Sequence, residues 1–381
     1  MVADMSPPVY RSDFPSPVPN RILVTLMGSL GDVARGLTMI PRLRAASPSC
    51  RITWIVEPKC EGIVRAARGI DRVLVFPRGK GLRALASFVS ELRVEHYDVA
   101  LDLQRHLKSG IVTWLSRAPR RIGFAPSNTK EGNWIFSTEY LGAFDEQVTN
   151  KGLIYHGFLS AIGIPPDTAP LRLPLPVVTD RLPHGLVPRR YIALVLGSSW
   201  QSKDWPITGY EKLIHLLLER TSLSLLLLGD SSHAERARVL TSQADPIRSK
   251  GRLYSAAGTV DLSGLIACVG CAAVVVGPDS GPGHIAAGLG VPVVVLFGPT
   301  APERTAPLTG LAHNSGESSL DSGMVDPGIA GLGMVRVIRS EVGCSPCYRR
   351  ACPGVGGVCM RLIRPEVVVE EVLSSLQYRG G

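Results

Sequence analysis

No stretch of the 381-residue chain reaches about eighteen unbroken apolar residues, so no membrane-crossing helix is expected. The first twenty residues lack the basic-then-apolar order of a secretion signal, which makes the cytoplasm the expected location. Aromatic residues are only 6% and the basic ones are dispersed, a poor basis for stacking on bases, so nucleic acid is not an expected partner. The first glycine turn has neither the third glycine of a dinucleotide fingerprint nor a Walker lysine after it. No Asp-x-Asp pair sits in a βα turn where it would hold a metal, and no cofactor is expected. Short-period repeats are also missing, which excludes a solenoid.

What remains is ordinary soluble α/β material, 45% hydrophobic and 19% charged. Forty glycines and thirty prolines point to many tight strand-to-helix connections. The length is too great for one ordinary core and predicts two domains. A net charge of +9 favours anionic partners, whether nucleic acid, phosphorylated small molecules or an acidic membrane surface, and charge alone does not choose between them.

Structure is expected to begin at Arg21, after a disordered tail over 1–20 rich in proline and serine. Ile22 to Leu26 read as a strand, Gly28 to Asp32 as a turn and Val33 to Ala46 as a helix. The grammar repeats through the first domain, 21–175, and implies a parallel sheet with crossover helices. A Pro-rich stretch, 176–189, is the expected linker. The pattern restarts over 190–381. Asn314 to Gly333 reads as a mobile surface loop, and the last helix, Pro365 to Leu376, is expected to pack back across the first domain. The fold class is therefore α/β, with two Rossmann-like doubly wound domains.

Three turns carry chemistry. Gly277-Pro278-Asp279-Ser280-Gly281-Pro282-Gly283-His284 lies between a buried strand and a helix, where unpaired backbone N–H groups can meet a phosphate. Its plainer reading is a helix start capped by Asp279 or Ser280, with Pro282 in the first turn and His284 an ordinary half-buried histidine. Ser198-Ser199-Trp200-Gln201-Ser202-Lys203 also follows a strand, and its hydroxyls and lysine suit a diphosphate clamp. The competing reading is a solvated loop. In Gly28-Ser29-Leu30-Gly31-Asp32 the carboxylate is either a helix cap or a general base, ionised at neutral pH.

The eight cysteines fall into four scattered core candidates (Cys50, Cys60, Cys268, Cys271) and a cluster, Cys344, Cys347, Cys352 and Cys359. The cluster suggests reduced structural thiols or, as the alternative, a structural zinc. Its spacing fits no standard zinc module and no histidine lies close by.

Taken with Leu296-Phe297-Gly298-Pro299-Thr300, these turns resemble family 9 glycosyltransferases, the heptosyltransferases of lipopolysaccharide core assembly. The resemblance runs from about Arg21 to Leu376 and is most specific at Asp279-Ser280-Gly281-x-x-His284 and Lys203-x-Trp205-Pro206. It implies a GT-B fold with two domains facing a cleft, an amino-terminal acceptor domain and a carboxy-terminal donor domain. It implies Asp32 as catalytic base, Ser198, Ser199 and Lys203 on donor phosphates, and Asp279, Ser280, Gly281 and His284 lining the nucleotide pocket. Asp102-Leu103-Gln104-x-x-x-Lys108-Ser109 is similar to the family's acceptor-facing segment, making Gln104, Lys108 and Lys130 acceptor-binding candidates. Lys130 stands where relatives have arginine, Ser280 replaces the commoner threonine, and 314–333 is an insertion.

The implied reaction is a metal-independent, inverting transfer of heptose from ADP-heptose to a phosphorylated glycolipid at the cytoplasmic face of the inner membrane. Such a transfer needs one base and positive charge on the departing diphosphate. Lys203 and the helix amino terminus after Gly281 can supply that charge. A GT-B-like nucleotide-sugar epimerase and a non-catalytic nucleotide-sugar binder are the alternatives. An epimerase would need further carboxylates acting on the sugar, and a binder would show no turnover.

Overall fold

Uninterrupted apolar runs such as Ile22-Leu23-Val24 and Val274-Val275-Val276 form strands buried on both faces. That is the signature of parallel strands covered by helices on each side. The computed structural model describes residues 18–166, 169–308, 324–325, 335–353 and 357–377. The expected tail lies almost wholly outside the described residues, and so does the 314–333 loop apart from Met324 and Val325. The chain divides into two units, one ending at Pro176 and one beginning at Val177.

The first unit carries β1 (Arg21–Thr25), β2 (Arg51–Val56), β3 (Arg72–Val75), β4 (Val99–Asp102), β5 (Arg120–Gly123) and β6 (Glu139–Tyr140). They pair in parallel in the order β3-β2-β1-β4-β5-β6. Helices α1 (Leu30–Leu37), α2 (Met39–Ala46), α3 (Glu61–Ala66), α4 (Gly81–Leu92), α5 (Leu107–Leu115) and α6 (Lys151–Ala161) complete it. The single helix expected over 33–46 is two, broken at Thr38. Pro41 lacks the N–H that would bond the Leu37 carbonyl, and its ring crowds that carbonyl. The order of the sheet reverses between β1 and β4, so the loops beyond their carboxyl ends part and leave a crevice.

The second unit carries β7 (Tyr191–Val195), α7 (Ile207–Arg220), β8 (Ser224–Leu228), α8 (Ala234–Gln243), α9 (Pro246–Ser249), β9 (Leu253–Ser255), α10 (Leu262–Gly270) and β10 (Val274–Pro278). After them come α11 (Gly281–Gly288), β11 (Val293–Phe297), α12 (Pro302–Thr305), β12 (Met324–Val325), β13 (Val335–Arg339), α13 (Val358–Arg361) and α14 (Pro365–Gln377). The sheet order is β12-β13-β11-β10-β7-β8-β9, parallel except for β12. Its reversal falls between β7 and β10. A β-carbon at Gly277 would sit 2.6 Å from Val195 Cβ, so the glycine lets those two strands close up where the reversal occurs.

The last helix packs into the core of the second unit. Val368, Val369 and Val372 of α14 are fully buried in the core that holds Leu213, Leu217 and Leu296. Arg220 on α7 pairs with Glu370 at 2.5 Å across the same contact. The apolar face of α14 thus finds its partner in α7. Part of the stretch expected as a linker is also fixed to the second unit, since Arg189 N donates to the Cys271 carbonyl at 2.7 Å. Among the described residues no helix is long and apolar enough to cross a membrane.

Candidate active site

In the first unit the turn after β1 holds Asp32 at the third position of α1. Its carboxylate accepts from Ser29 Oγ at 3.0 Å and Ser29 N at 3.4 Å, a capping box. Arg35 donates at 2.9 Å and Lys151, from α6, at 3.1 Å. Burial alone would raise its pKa, but Lys151 and then Arg35 outweigh that and hold it well below the usual carboxylate range. The side chain stays 18% exposed. Asp32 is therefore both a cap and an accessible, firmly ionised carboxylate. The buried Tyr155 phenol beside it is raised well above its ordinary pKa, first by burial and then by the Asp32 charge.

Asp102 closes β4 and is sealed. It accepts from Asn133 Nδ2 at 2.8 Å, Ser109 Oγ at 3.0 Å and Gln104 N at 3.0 Å, and burial pushes its pKa up. Gln104 straddles the sheet reversal: its Oε1 accepts from Met27 N at 2.7 Å and its Nε2 donates to the Gly28 carbonyl at 2.9 Å. With its amide spent on backbone, Gln104 holds the glycine turn in place. Lys108 pairs with Glu57 and stacks over Phe76, 5.4 Å from the ring centre, with 38% of its side chain exposed. Lys130 is exposed beside the turn that follows it.

In the second unit the two expected turns meet across the β7/β10 reversal. Lys203 Nζ lies 2.7 Å from Asp279 Oδ2 and 3.2 Å from the Asp279 carbonyl, over the Trp200 ring at 4.7 Å. An ammonium has three donors, so one is left without a protein acceptor among the described residues. Asp279 is buried and also accepts from Thr300 Oγ1 and Thr305 Oγ1, both at 3.0 Å, with His284 Nε2 3.5 Å away. Ser280 is the N-cap of α11 but makes no cap bond, and its buried Oγ has no hydrogen-bond partner among the described residues. An orphaned hydroxyl beside the free first-turn N–H groups of Gly281 and Gly283 suits an anion. Ser198 differs from expectation in its use. Its Oγ accepts from Trp200 N at 3.0 Å and donates to the Trp200 carbonyl at 3.1 Å, which shapes the loop, whereas Ser199 is exposed.

The cysteine segment braces this site. Ser202 donates from Oγ to the Arg349 carbonyl and from N to the Arg350 carbonyl, at 2.5 and 3.1 Å. Cys347 N and Tyr348 N donate to the Pro299 carbonyl at 3.1 and 2.8 Å. A β-carbon at Gly298 would lie 2.5 Å from Met360 Sδ and 2.9 Å from Cys359 Sγ, so a larger residue would have to displace these side chains. Cys344, Cys347 and Cys352 are exposed and Cys359 is buried. Burial, and then its three cysteine neighbours, raise the Cys359 pKa. Among the described residues no group of three or more His, Cys, Asp or Glu side chains is placed to hold a metal ion.

Two doubly wound units, each with polar residues gathered where its strand order reverses, define an α/β protein of the GT-B glycosyltransferase fold. The family model "Glycosyltransferase family 9 (heptosyltransferase)" matches residues 85–322, and the chain belongs to that family. Among its relatives is the lipopolysaccharide core heptosyltransferase OpsX of Haemophilus influenzae, 24% identical over 77% of this chain and 83% of that protein. Lipopolysaccharide heptosyltransferase 1 of Pseudomonas aeruginosa is 24% identical over 87% of each chain. The solved structure of E. coli ADP-heptose LPS heptosyltransferase II superposes with a TM-score of 0.70 at 20% identity, covering 95% of this chain and all of that one.

Proposed function

We propose that this glycosyltransferase moves heptose from ADP-heptose to the inner core of lipopolysaccharide or a similar phosphorylated glycolipid, with inversion and without a metal ion, at the cytoplasmic face of the inner membrane. The observation that carries the reading is the Lys203–Asp279 pair beside the unpartnered Ser280 hydroxyl. A buried carboxylate fixes an ammonium next to a helix amino terminus, and the two together can receive a departing diphosphate. The ADP-heptose named for the similar E. coli enzyme suits that cradle, and the lipopolysaccharide named for the relatives suggests the acceptor.

In this reading Asp32 takes the proton of the acceptor hydroxyl as it attacks the anomeric carbon, and the ADP leaves with its bonding electrons. Lys203, Ser280 and the Gly281 and Gly283 N–H groups hold the diphosphate, with His284 and Ser199 at the margin of the donor site. Lys108 and Lys130 face the phosphorylated acceptor. Lys203→Met should lower kcat/KM for ADP-heptose by on the order of 10²-fold, the usual scale for one preorganised donor. Activity should survive EDTA. An unchanged kcat/KM in Lys203→Met, or loss in EDTA restored by Mg²⁺, contradicts the proposal.

A further inference from the structure

Helix α5 and the 3-10 turn Asn133–Phe136 are locked together in the first unit. A β-carbon at Gly110 would lie 2.7 Å from both Asn133 Nδ2 and Phe136 Cδ2, so only glycine admits the approach. Asn133 is pinned by donating to Asp102 Oδ2 and the His106 carbonyl, each at 2.8 Å. This fixed frame nevertheless presents large apolar side chains to solvent. Leu107, Ile111 and Trp114 recur at the spacing of one helical face, and Trp114 is 53% exposed. Trp134 and Ile135 on the turn are 40% and 59% exposed. The Trp114 and Phe136 rings, 6.5 Å apart, join the two parts.

The charge of the same segment has one sign. Between Arg105 and Phe136 there are six lysines and arginines and a single carboxylate, Glu131. Arg105, Lys108 and Arg120 are paired with Glu146, Glu57 and Glu139. Arg117 and Lys130 are exposed, while Arg121 donates to the Phe136 and Ala118 carbonyls, with no carboxylate paired to it among the described residues. Glu131 accepts from Leu107 N at 3.2 Å, beside His106. Tryptophan on a rigid apolar face bordered by cations matches the headgroup region of an anionic bilayer, where aromatic rings sit at the interface and Lys or Arg meet phosphate. A second copy of a chain with net charge +9 would bring like charges together, which disfavours a self-interface.

We propose that this face of the first unit docks on an anionic phospholipid surface. Trp114, Trp134 and Ile135 enter the headgroup layer, and Arg117 lies against lipid phosphates beside the Lys130 proposed to face the glycolipid acceptor. The use of the surface rests on the glycolipid acceptor proposed above, since α5 also carries Lys108. The docking itself does not.

The full chain should co-sediment with vesicles of phosphatidylglycerol and phosphatidylethanolamine, much less with phosphatidylcholine alone, and less in high salt. Trp114→Ser/Ile135→Ser should reduce that binding by about tenfold or more while keeping the circular dichroism spectrum and the kcat/KM on a soluble, deacylated acceptor. Trp134→Ser alone should show a smaller loss and guards against a folding artefact in the double variant. Equal vesicle binding by the parent and the double variant overturns the proposal. So does a lipid-free dimer of the parent that the substitutions dissociate. Failure of the parent to turn over the soluble acceptor counts against the proposed reaction, which the vesicle result does not touch.

Discussion

The two sheets reverse their strand order in the same way but place opposite charges at the reversal. Beyond the first strand of each unit, β1 and β7, the turns carry Asp32 in one and Lys203 in the other. At the second strand each unit buries an aspartate, Asp102 or Asp279, that accepts hydrogen bonds from hydroxyl groups. The buried partners differ in one respect. Asp279 faces an ammonium, whereas the side chains bonded to Asp102 are a neutral hydroxyl and an amide, and burial raises its pKa. A common frame thus presents a carboxylate, fit to accept a proton, in one unit and a fixed cation, fit to receive phosphate, in the other. The topology sets where the groups stand, and local side chains set their sign.

The comparison is broken most directly at the buried aspartates. Asp279→Ala leaves the Lys203 ammonium and two threonine hydroxyls without their acceptor, and should cost about 3–5 kcal/mol in urea unfolding. Asp102→Ala strands only neutral donors and should cost about 1–3 kcal/mol. Equal losses would show that the cation adds nothing to the second site. The next largest effect is on turnover. Asp32→Asn keeps a side chain able to complete the capping box with Ser29 but removes the charge that Lys151 and Arg35 face, so some stability at neutral pH is lost with it. As the proposed base, its loss should lower kcat by on the order of 10²-fold. Near-normal turnover with saturating donor and acceptor would leave Asp32 a cap and nothing more.

Much of this arrangement was legible in the sequence because it is local. Strand, glycine turn and helix are adjacent in the chain, so Asp32, Lys203 and the Asp279 to His284 run could be placed at strand ends without knowing the sheet order. What pairs with them was not legible. Lys151 reaches Asp32 from α6, 119 residues away, and nothing in its neighbours marks it. Thr300 and Thr305 reach Asp279 from beyond the next strand; Thr300 was noticed only as part of the Phe-Gly-Pro-Thr strand end. The commitment of Gln104 to the backbone at Met27 and Gly28 likewise depends on β1 and β4 being neighbours, which strand pairing alone reveals. The partner of α14 within the second unit is hidden in the sequence for a similar reason. An apolar helical face says that a partner exists, not which one, and α7 supplied it.

The smallest expected effect is also the one that separates a poised base from a merely paired carboxylate. Asp32 is held well below the usual carboxylate range because Lys151 and Arg35 overcome the opposing effect of burial. A depressed folded-state pKa contributes stability that is present above the unfolded value, near 3.9, and is lost as pH falls through the folded value. The same depression keeps Asp32 ionised for catalysis but weakens its pull on a proton. Lys151→Met retains the aliphatic stem and removes the charge, so the Asp32 pKa should rise by roughly one unit or more. The acidic limb of kcat/KM should then move to higher pH by the same amount, while the Lys203 site, in the other unit, keeps its donor KM. An acidic limb that does not move would mean that the ionisation of Asp32 does not limit the reaction, and the base would have to be sought elsewhere in the first unit.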